Sequence, residues 1–353
     1  MNQEEKQRQQ AGPPLRYDNT LRVLFLQCPR KFYWWKIRQV DQLVRPPYFA
    51  FGSAWHLIKG TWYTTLSHNP SLVPLSDEWR FEGLRALSAG LNFWDNSGAQ
   101  PTKHDNRDNL ASMWSAYLGQ YPTEPWQLIK GGSELGWLWP LPSAGGAHTA
   151  YFLGGSMDGY IEWPGYGQMC LEEKTTSIWL SDQYILQWRF SSQITGYIWY
   201  LANLLGTSRV HGAVISMATK QTPAKSGATP RFSRIIETRT EEDFLEFERD
   251  WRTTIDHITR CWDNWHWPKT TDTINCVGGI GKSACPYKGL CLSGLPPHLI
   301  SHTSFPNLTL REQWEPWKRQ QELILPTRQN RTIESFAPTF LRDSNGKLRP
   351  LIF

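Results

Sequence analysis

Residues 156–174 read SMDGYIEWPGYGQMCLEEK, two apolar runs split by Pro164-Gly165-Tyr166-Gly167. Pro and Gly there are turn residues, so the stretch predicts a hairpin, one strand over YFLGGSMDGYIEW and the next over GQMCLEEKTTS. That hairpin brings Asp158 beside Glu172 and Lys174. Side chains two apart on a strand share a face, so Glu172 and Lys174 point together while Glu173 points away. Two carboxylates on one face make the hard-oxygen site that Mg²⁺ or Mn²⁺ takes, with water and substrate phosphate filling an octahedron. A lysine at the same place can position the attacking water and neutralise charge developing on phosphoryl oxygens. Taken alone, the same three residues also fit a cross-strand ion pair on a sheet surface.

Working outward, WQLIKG and ELGWLWPL upstream read as further strands. Downstream come a long helix from about Gln183 to Leu205, strands RVHGAVISMAT and FSRIIETRT, and a helix over EEDFLEFERDWRTTIDHITRCW. Strand, strand, helix, strand is the order of an α/β core with a central mixed sheet. The first third reads as helical. Asp18-Asn19-Thr20 caps a helix through LRVLFLQCPRKFYWWKIR with Cys28 inside it, and Pro46-Pro47 closes that unit. Another helical stretch starts near Phe51, and two more fill residues 76–121. The polar residues 1–16 are expected to be a disordered head, 17–292 the folded domain, and 293–353 a C-terminal extension or tail wrapped on it.

At 353 residues the chain can bury one large core. Its start lacks an apolar leader and no run reaches the roughly 18 apolar residues of a membrane span, so the expectation is a soluble, intracellular, cytoplasmic protein. Net charge is +5, and residues 1–46, with nine Lys/Arg against four Asp/Glu, hold all of that excess. The local positive charge suits phosphate, although a basic arm serving solubility reads the same way. The twenty tryptophans fill a core or stack on unpaired bases, the core being the larger share. Six cysteines without a secretion signal point to metal ligation or buried thiols rather than disulfides.

Two further patterns flank the hairpin: Gly52-Ser53-Ala54-Trp55-His56 before it and Gln193-Ile194-Thr195-Gly196-Tyr197 after it. In this order, with Asp158 and Glu172-Glu173-Lys174 between them, the set resembles the RecB-like nucleases of the PD-(D/E)XK superfamily. The resemblance covers roughly Tyr17 to Cys291. It implies that His56 joins Asp158 and Glu172 as a metal ligand, that Gln193 orients the site, and that Tyr197 contacts it or the DNA backbone. By residue type alone, His56 also fits an ordinary helical histidine, and Gln193 and Tyr197 fit a polar and an aromatic residue packed on a sheet.

Cys28 stands far from Cys276, Cys285 and Cys291. This split resembles the iron-sulfur subgroup that includes AddB-type recombination nucleases and CRISPR-associated adaptation exonucleases, in which one early and three late cysteines hold a [4Fe-4S] cluster. The implied role is to clamp the ends of the domain together, since four thiolates close a cluster completely. The spacing departs from the family: eight residues separate Cys276 from Cys285 where the pattern has two. A longer flexible loop costs little, about 0.6 kcal/mol per doubling. A four-thiolate zinc site and four unliganded core cysteines remain the alternatives. Cys170, on the hairpin strand, and Cys261, near a helix end, fall outside the set. The function implied is metal-dependent hydrolysis of DNA phosphodiesters, exonucleolytic on a single strand or duplex end, in repair, recombination or phage replication, with a protein partner in such a complex. The alternative is a non-catalytic iron-sulfur DNA-binding or scaffold subunit.

Overall fold

In the computed structural model, residues 3–44, 46–142, 151–206, 210–221, 231–279, 283–295, 300–318, 340–342 and 348–350 are described. The chain begins with α1 (Gln3–Gln10), β1 (Arg16–Asp18), α2 (Asn19–Gln27), α3 (Pro29–Phe32) and β2 (Val40–Gln42). Three longer helices follow, α4 (Pro47–His68), α5 (Asp77–Asn96) and α6 (Arg107–Gln120). Then come β3 (Gln127–Pro140), β4 (Phe152–Trp163), β5 (Gly167–Thr176), α7 (Asp182–Leu186), α8 (Ser192–Leu205), β6 (Val210–Thr219), β7 (Phe232–Glu237) and α9 (Glu241–Asp263). The later part carries α10 (Ile274–Val277), α11 (Lys288–Leu292), β8 (Leu308–Leu310) and the paired β9 (Phe340–Arg342) and β10 (Leu348–Pro350).

Local chemistry sets the helix ends. Ser76 and Asn106 accept backbone N–H groups at the starts of α5 and α6, and Thr240 with Asp243 forms a reciprocal capping box on α9. The helix expected to run through Cys28 is interrupted there. Cys28 is extended (φ −169°, ψ 109°), and α3 restarts at Pro29, because the residue before a proline is sterically driven out of the helical region. The long helix expected over 183–205 is likewise divided. A short α7 runs through a tight turn of helix at Gln187–Phe190 into an extended Ser191, whose side chain caps α8 by accepting from Ile194 N. The head expected to be disordered contains α1, and it docks: the Trp262 indole donates to the Gln9 carbonyl at 2.9 Å and the Gln9 amide donates to Asp263 O at 3.0 Å.

The sheet is mixed. β4–β5 and β6–β7 are antiparallel, while β5 and β6 are parallel and joined through α7 and α8, the crossover that parallel pairing demands. β3 lies along one edge of β4, with its register shifting between Leu128 and Ser133, so the two apolar runs WQLIKG and ELGWLWPL form one bulged strand. The other edge of β4 is shared: β1 pairs in parallel with Phe152–Gly154 and β5 with Gly159–Trp163. Between those two partners, residues 155–158 face a gap in the sheet.

Alternation along the strands feeds two apolar layers. Met169 and Leu171 of β5 join Val214 and Ala218 of β6 beneath Trp55, Trp62 and Trp114 of α4 and α6. Cys170 and its neighbours Ala213, Ile215 and Met217 pack on the other side against Tyr197–Leu201 of α8 and Phe247, Trp251 and Ile255 of α9. Seven tryptophans, among them Trp34, Trp139 and Trp199, are almost wholly buried, in keeping with their core role. The stretch after 292, expected as an extension wrapped on the domain, packs on it over 300–318. β8 pairs with β2, Leu308 and Trp317 are buried, and Trp314 and Pro316 reach the pocket described below. Residues 319–339 of the expected tail, and part of the loop between Cys276 and Cys285, lie outside the described residues.

Candidate metal centre and its pocket

A half-open pocket of about 260 Å³ opens at the gap in β4. Asp158 comes from β4, Glu172 and Lys174 from one face of β5, His56 from α4, and Gln193 and Tyr197 from α8, so every residue expected in the metal and catalytic set lines this pocket. The hydrogen bonds form one continuous set. Lys174 Nζ pairs with Glu172 Oε1 and lies 3.4 Å from Gln193 Oε1. The Gln193 amide donates to Glu172 Oε1 at 3.0 Å and to the Tyr197 hydroxyl at 2.7 Å, and Tyr197 donates in turn to Ser156 O at 2.6 Å. Residues four apart on α8 thus reach one strand pair together.

The donor set contains a member that sequence reading missed. Donor atoms of His56, Glu134 and Asp158 lie within 4.8 Å of one another, a grouping that includes Glu134 and not Glu172. Glu134 sits on β3 between Ser133 and Leu135, which pair with Gly159 and Met157 and so bracket Asp158. Its backbone is left-handed (φ +50°), a conformation that costs a non-glycine residue about 1–3 kcal/mol and that clusters at functional sites. The Gly131-Gly132 pair just before it was the available sequence sign of a bulge. Asp18 and Trp314 complete one wall: Asp18 caps α2 through Oδ1 and accepts the Trp314 indole N–H on Oδ2 at 2.6 Å. Nothing in the sequence linked those two positions.

Glu173, directed to the opposite face, supports the centre through its main chain. Its N–H donates to Asp158 Oδ2 at 2.7 Å and its carbonyl accepts from His56 Nε2 at 2.9 Å. A proton held on Nε2 turns Nδ1 toward Asp158 Oδ1, 3.2 Å away, the orientation that a carbonyl partner gives metal-binding histidines. The Glu173 side chain is buried beneath α4, where it accepts from Tyr63 at 2.7 Å and lies 3.4 Å from Lys59 Nζ. Glu124 and Arg234 join the same buried group, paired at 2.6 Å and linked to it through Tyr117.

Electrostatics separates the two carboxylates. Burial raises Asp158, but His56, Lys174 and the Glu173 N–H outweigh it and hold its pKa below the usual aspartate value. Burial and the charge of Asp158 push Glu172 up to about 7, with Lys174 opposing. Glu172 Oε2 is buried with no hydrogen-bond partner among the described residues. Burial would lower His56, yet the charges of Asp158, Glu134 and Glu172 hold it up at about 9. Lys174 is raised despite burial because Glu172 and Asp158 favour its charged form. The unpartnered buried oxygen of Glu172, the carboxylates of Glu134 and Asp158 and the His56 imidazole form an oxygen-rich set with one nitrogen, which fits a hard divalent cation.

Cys28 is buried, and Cys276, Cys285 and Cys291 are half-buried. The Cys285 thiol is pushed up first by burial, and then by Cys291 and Cys28, against Lys31. Cys291 is raised first by burial, with Cys28 adding and Arg30 and Lys269 opposing. Those three therefore face one another in a partly cationic setting. Cys276 is tied to them through its carbonyl, which accepts the Cys285 N–H at 3.1 Å. No three of the sulfurs fall within 4.8 Å of one another among the described residues. Tetrahedral zinc, with bonds of about 2.3 Å, would hold its thiolates roughly 3.8 Å apart.

No described helix is long and apolar enough to cross a membrane. No protein-family model and no curated protein matches the chain. Among solved structures, SSO0001 is 14% identical over 72% of this chain and 84% of its own, with a TM-score of 0.28. A protein from Eubacterium rectale, named provisionally as an exonuclease, is 14% identical over 71% of this chain and 94% of its own, with a TM-score of 0.33. Overlaps this loose suit many α/β arrangements and identify none.

Proposed function

We propose that the chain is a metal-dependent deoxyribonuclease of the RecB-like PD-(D/E)XK kind, acting as an exonuclease in DNA repair, recombination or phage replication. The observation that carries the reading is the convergence of His56, Glu134, Asp158, Glu172 and Lys174 on one pocket, with Glu172 Oε2 unpartnered. His56, Glu134 and Asp158 would hold Mg²⁺ or Mn²⁺, with Glu172 beside them. Such a cation supplies charge that polarises the phosphoryl group and makes water more acidic.

The chain's own groups account for the rest. Lys174 is held cationic by Glu172 and Asp158, and its Nζ offers charge to the phosphoryl oxygens as the attacking water adds and the sugar oxygen leaves. Glu172, which burial and Asp158 raise in the cation-free chain, offers its unpartnered Oε2 as a further oxygen beside the cation. Gln193 and Tyr197 keep Glu172 and Lys174 in register with β4 through Ser156 O. For the four cysteines we favour a [4Fe-4S] cluster over zinc, since among the described residues no three of the sulfurs come within 4.8 Å of one another, as tetrahedral zinc would require.

The test is digestion of end-labelled single-stranded and duplex DNA by anaerobically purified protein in Mn²⁺, Mg²⁺ or EDTA. Metal-dependent loss of label is expected, with Asp158→Ala and Lys174→Ala each slowing it about a hundredfold or more while DNA binding persists. A folded, iron-loaded wild type that binds DNA and releases no label in any metal is instead the scaffold subunit.

A further inference from the structure

We propose that the segment from Ile178 to Phe190, between β5 and α8, is a nucleobase-stacking subsite for an unpaired strand entering the pocket. This rests on the nuclease reading above for the identity of the strand, but on separate residues. The segment leaves Lys174 four residues before Ile178 and reaches Gln193 three residues after Phe190, so both its ends are anchored in the pocket. It leaves four large apolar side chains in solvent: Ile178 (56% exposed), Trp179 (37%), Leu186 (47%) and Phe190 (82%).

A loose loop would hide such side chains at little cost, but this one is pinned. Gln221 donates to Ser177 O at 2.6 Å, Thr219 to Ile178 O at 2.9 Å, and Arg239 to Trp188 O and Arg189 O at 3.1 and 3.0 Å. Tyr184 and Ile185 turn inward to pack on the core, which fixes the outward direction of their neighbours. Large apolar side chains left in water on a backbone pinned in this way mark a surface that is covered in use.

The cover is identified by what borders it. Trp188 stacks edge-on against Tyr184 and lies under Lys174 Nζ, 5.6 Å from its ring centre, so the aromatic ledge continues directly into the cationic catalytic position. Arg189, exposed between Trp188 and Phe190, makes no ion pair among the described residues. Alternating rings and cations beside a phosphoryl site suit a single strand, whose bases offer flat faces and whose phosphates offer charge. A paired duplex keeps those faces stacked inside itself, and one acidic side chain on the ledge, Asp182, is not enough to change that balance.

The experiment is anisotropy of fluorescein-labelled oligothymidylate and of a blunt duplex, in EDTA, with wild type, the Trp179→Ala/Phe190→Ala pair and the Trp179→Phe/Phe190→Tyr pair, each checked for wild-type thermal melting. Alanine at both positions is expected to weaken oligothymidylate binding by about fivefold to more than a hundredfold, to move duplex binding less than twofold, and to be rescued by the aromatic pair. Unchanged oligothymidylate affinity, equal losses on both DNAs, or a dimer that the alanine pair dissociates without altering oligothymidylate binding would overturn the ledge. Hydrolysis is read separately. A wild type that binds through the ledge but cleaves nothing in Mn²⁺ retains the ledge and removes the nuclease reading, and cleavage by variants that bind normally does the reverse.

Discussion

Glu134 shows how a site carries its own strain. A left-handed glutamate among three carboxylates gives up stability for the place of its donor atom, so removing it should separate stability from cation binding. Asparagine tolerates that backbone and removes one negative charge. Glu134→Asn is therefore expected to melt no lower than wild type in EDTA, yet to bind Mn²⁺ at least tenfold more weakly by calorimetry. A lower melting temperature with unchanged Mn²⁺ affinity would count against it as a ligand. Titration gives a second residue-scale test. Glu172 is raised from 4.5 to about 7 and His56 from 6.5 to about 9, so the folded, metal-free chain binds extra protons between about pH 4.5 and 9. Stability from both groups is present on the acid side and is lost as pH rises through those values. Lys59, lowered to about 8, acts in the opposite sense only above that pH. In EDTA the melting temperature should fall from pH 5 to 8 by more in wild type than in Glu172→Gln, and equal slopes would contradict the shift. At this scale the sequence was informative where spacing is rigid: alternation separates Glu172 and Lys174 from Glu173, and four-residue helical spacing joins Gln193 to Tyr197. It was silent on Glu134, because its position depends on a bulge and a left-handed backbone that break the alternation rule.

Between α4 and β5 the decisive contact is on the side turned away from the pocket. Lys59 lies three residues after His56 on α4, and its ion pair with Glu173 sets how that helix lies over the strand. Breaking one partner of a buried pair strands the other and typically costs about 3–5 kcal/mol, whereas removing both costs far less than the sum. In urea unfolding, Lys59→Met and Glu173→Leu should each destabilise by about that amount and couple strongly in the double variant. Additive losses would mean that the pair does not orient the helix. The strands and long helices were legible because their apolar periods are long. The breaks at Cys28 and Ser191 were not, since a single proline or cap overrode an otherwise continuous helical pattern.

The whole molecule is held by joins between distant parts of the chain: β1 on β4, β2 on β8, Gln9 on α9, and Cys28 facing Cys285 and Cys291. If the cysteines hold a cluster, anaerobic protein should contain iron and sulfide near four each per chain, and Cys28→Ser should lose both and melt lower. Stoichiometric zinc without iron would replace the cluster with the zinc site. The mixed α/β class was legible from strand and helix order, but the inclusion of residues 300–318 in the core was not, because a three-residue strand carries no readable period. That late join bears on synthesis. The wall formed by Asp18 and Trp314 spans 296 residues, so a nascent chain carries His56, Asp158 and Lys174 well before its pocket is enclosed. At about 5–20 residues per second, roughly 120 further residues after Tyr197 delay that enclosure by about 6–24 seconds. The ribosome-bound protein would thus pass through an interval in which the residues of the pocket have been made but the pocket is still ajar on one side.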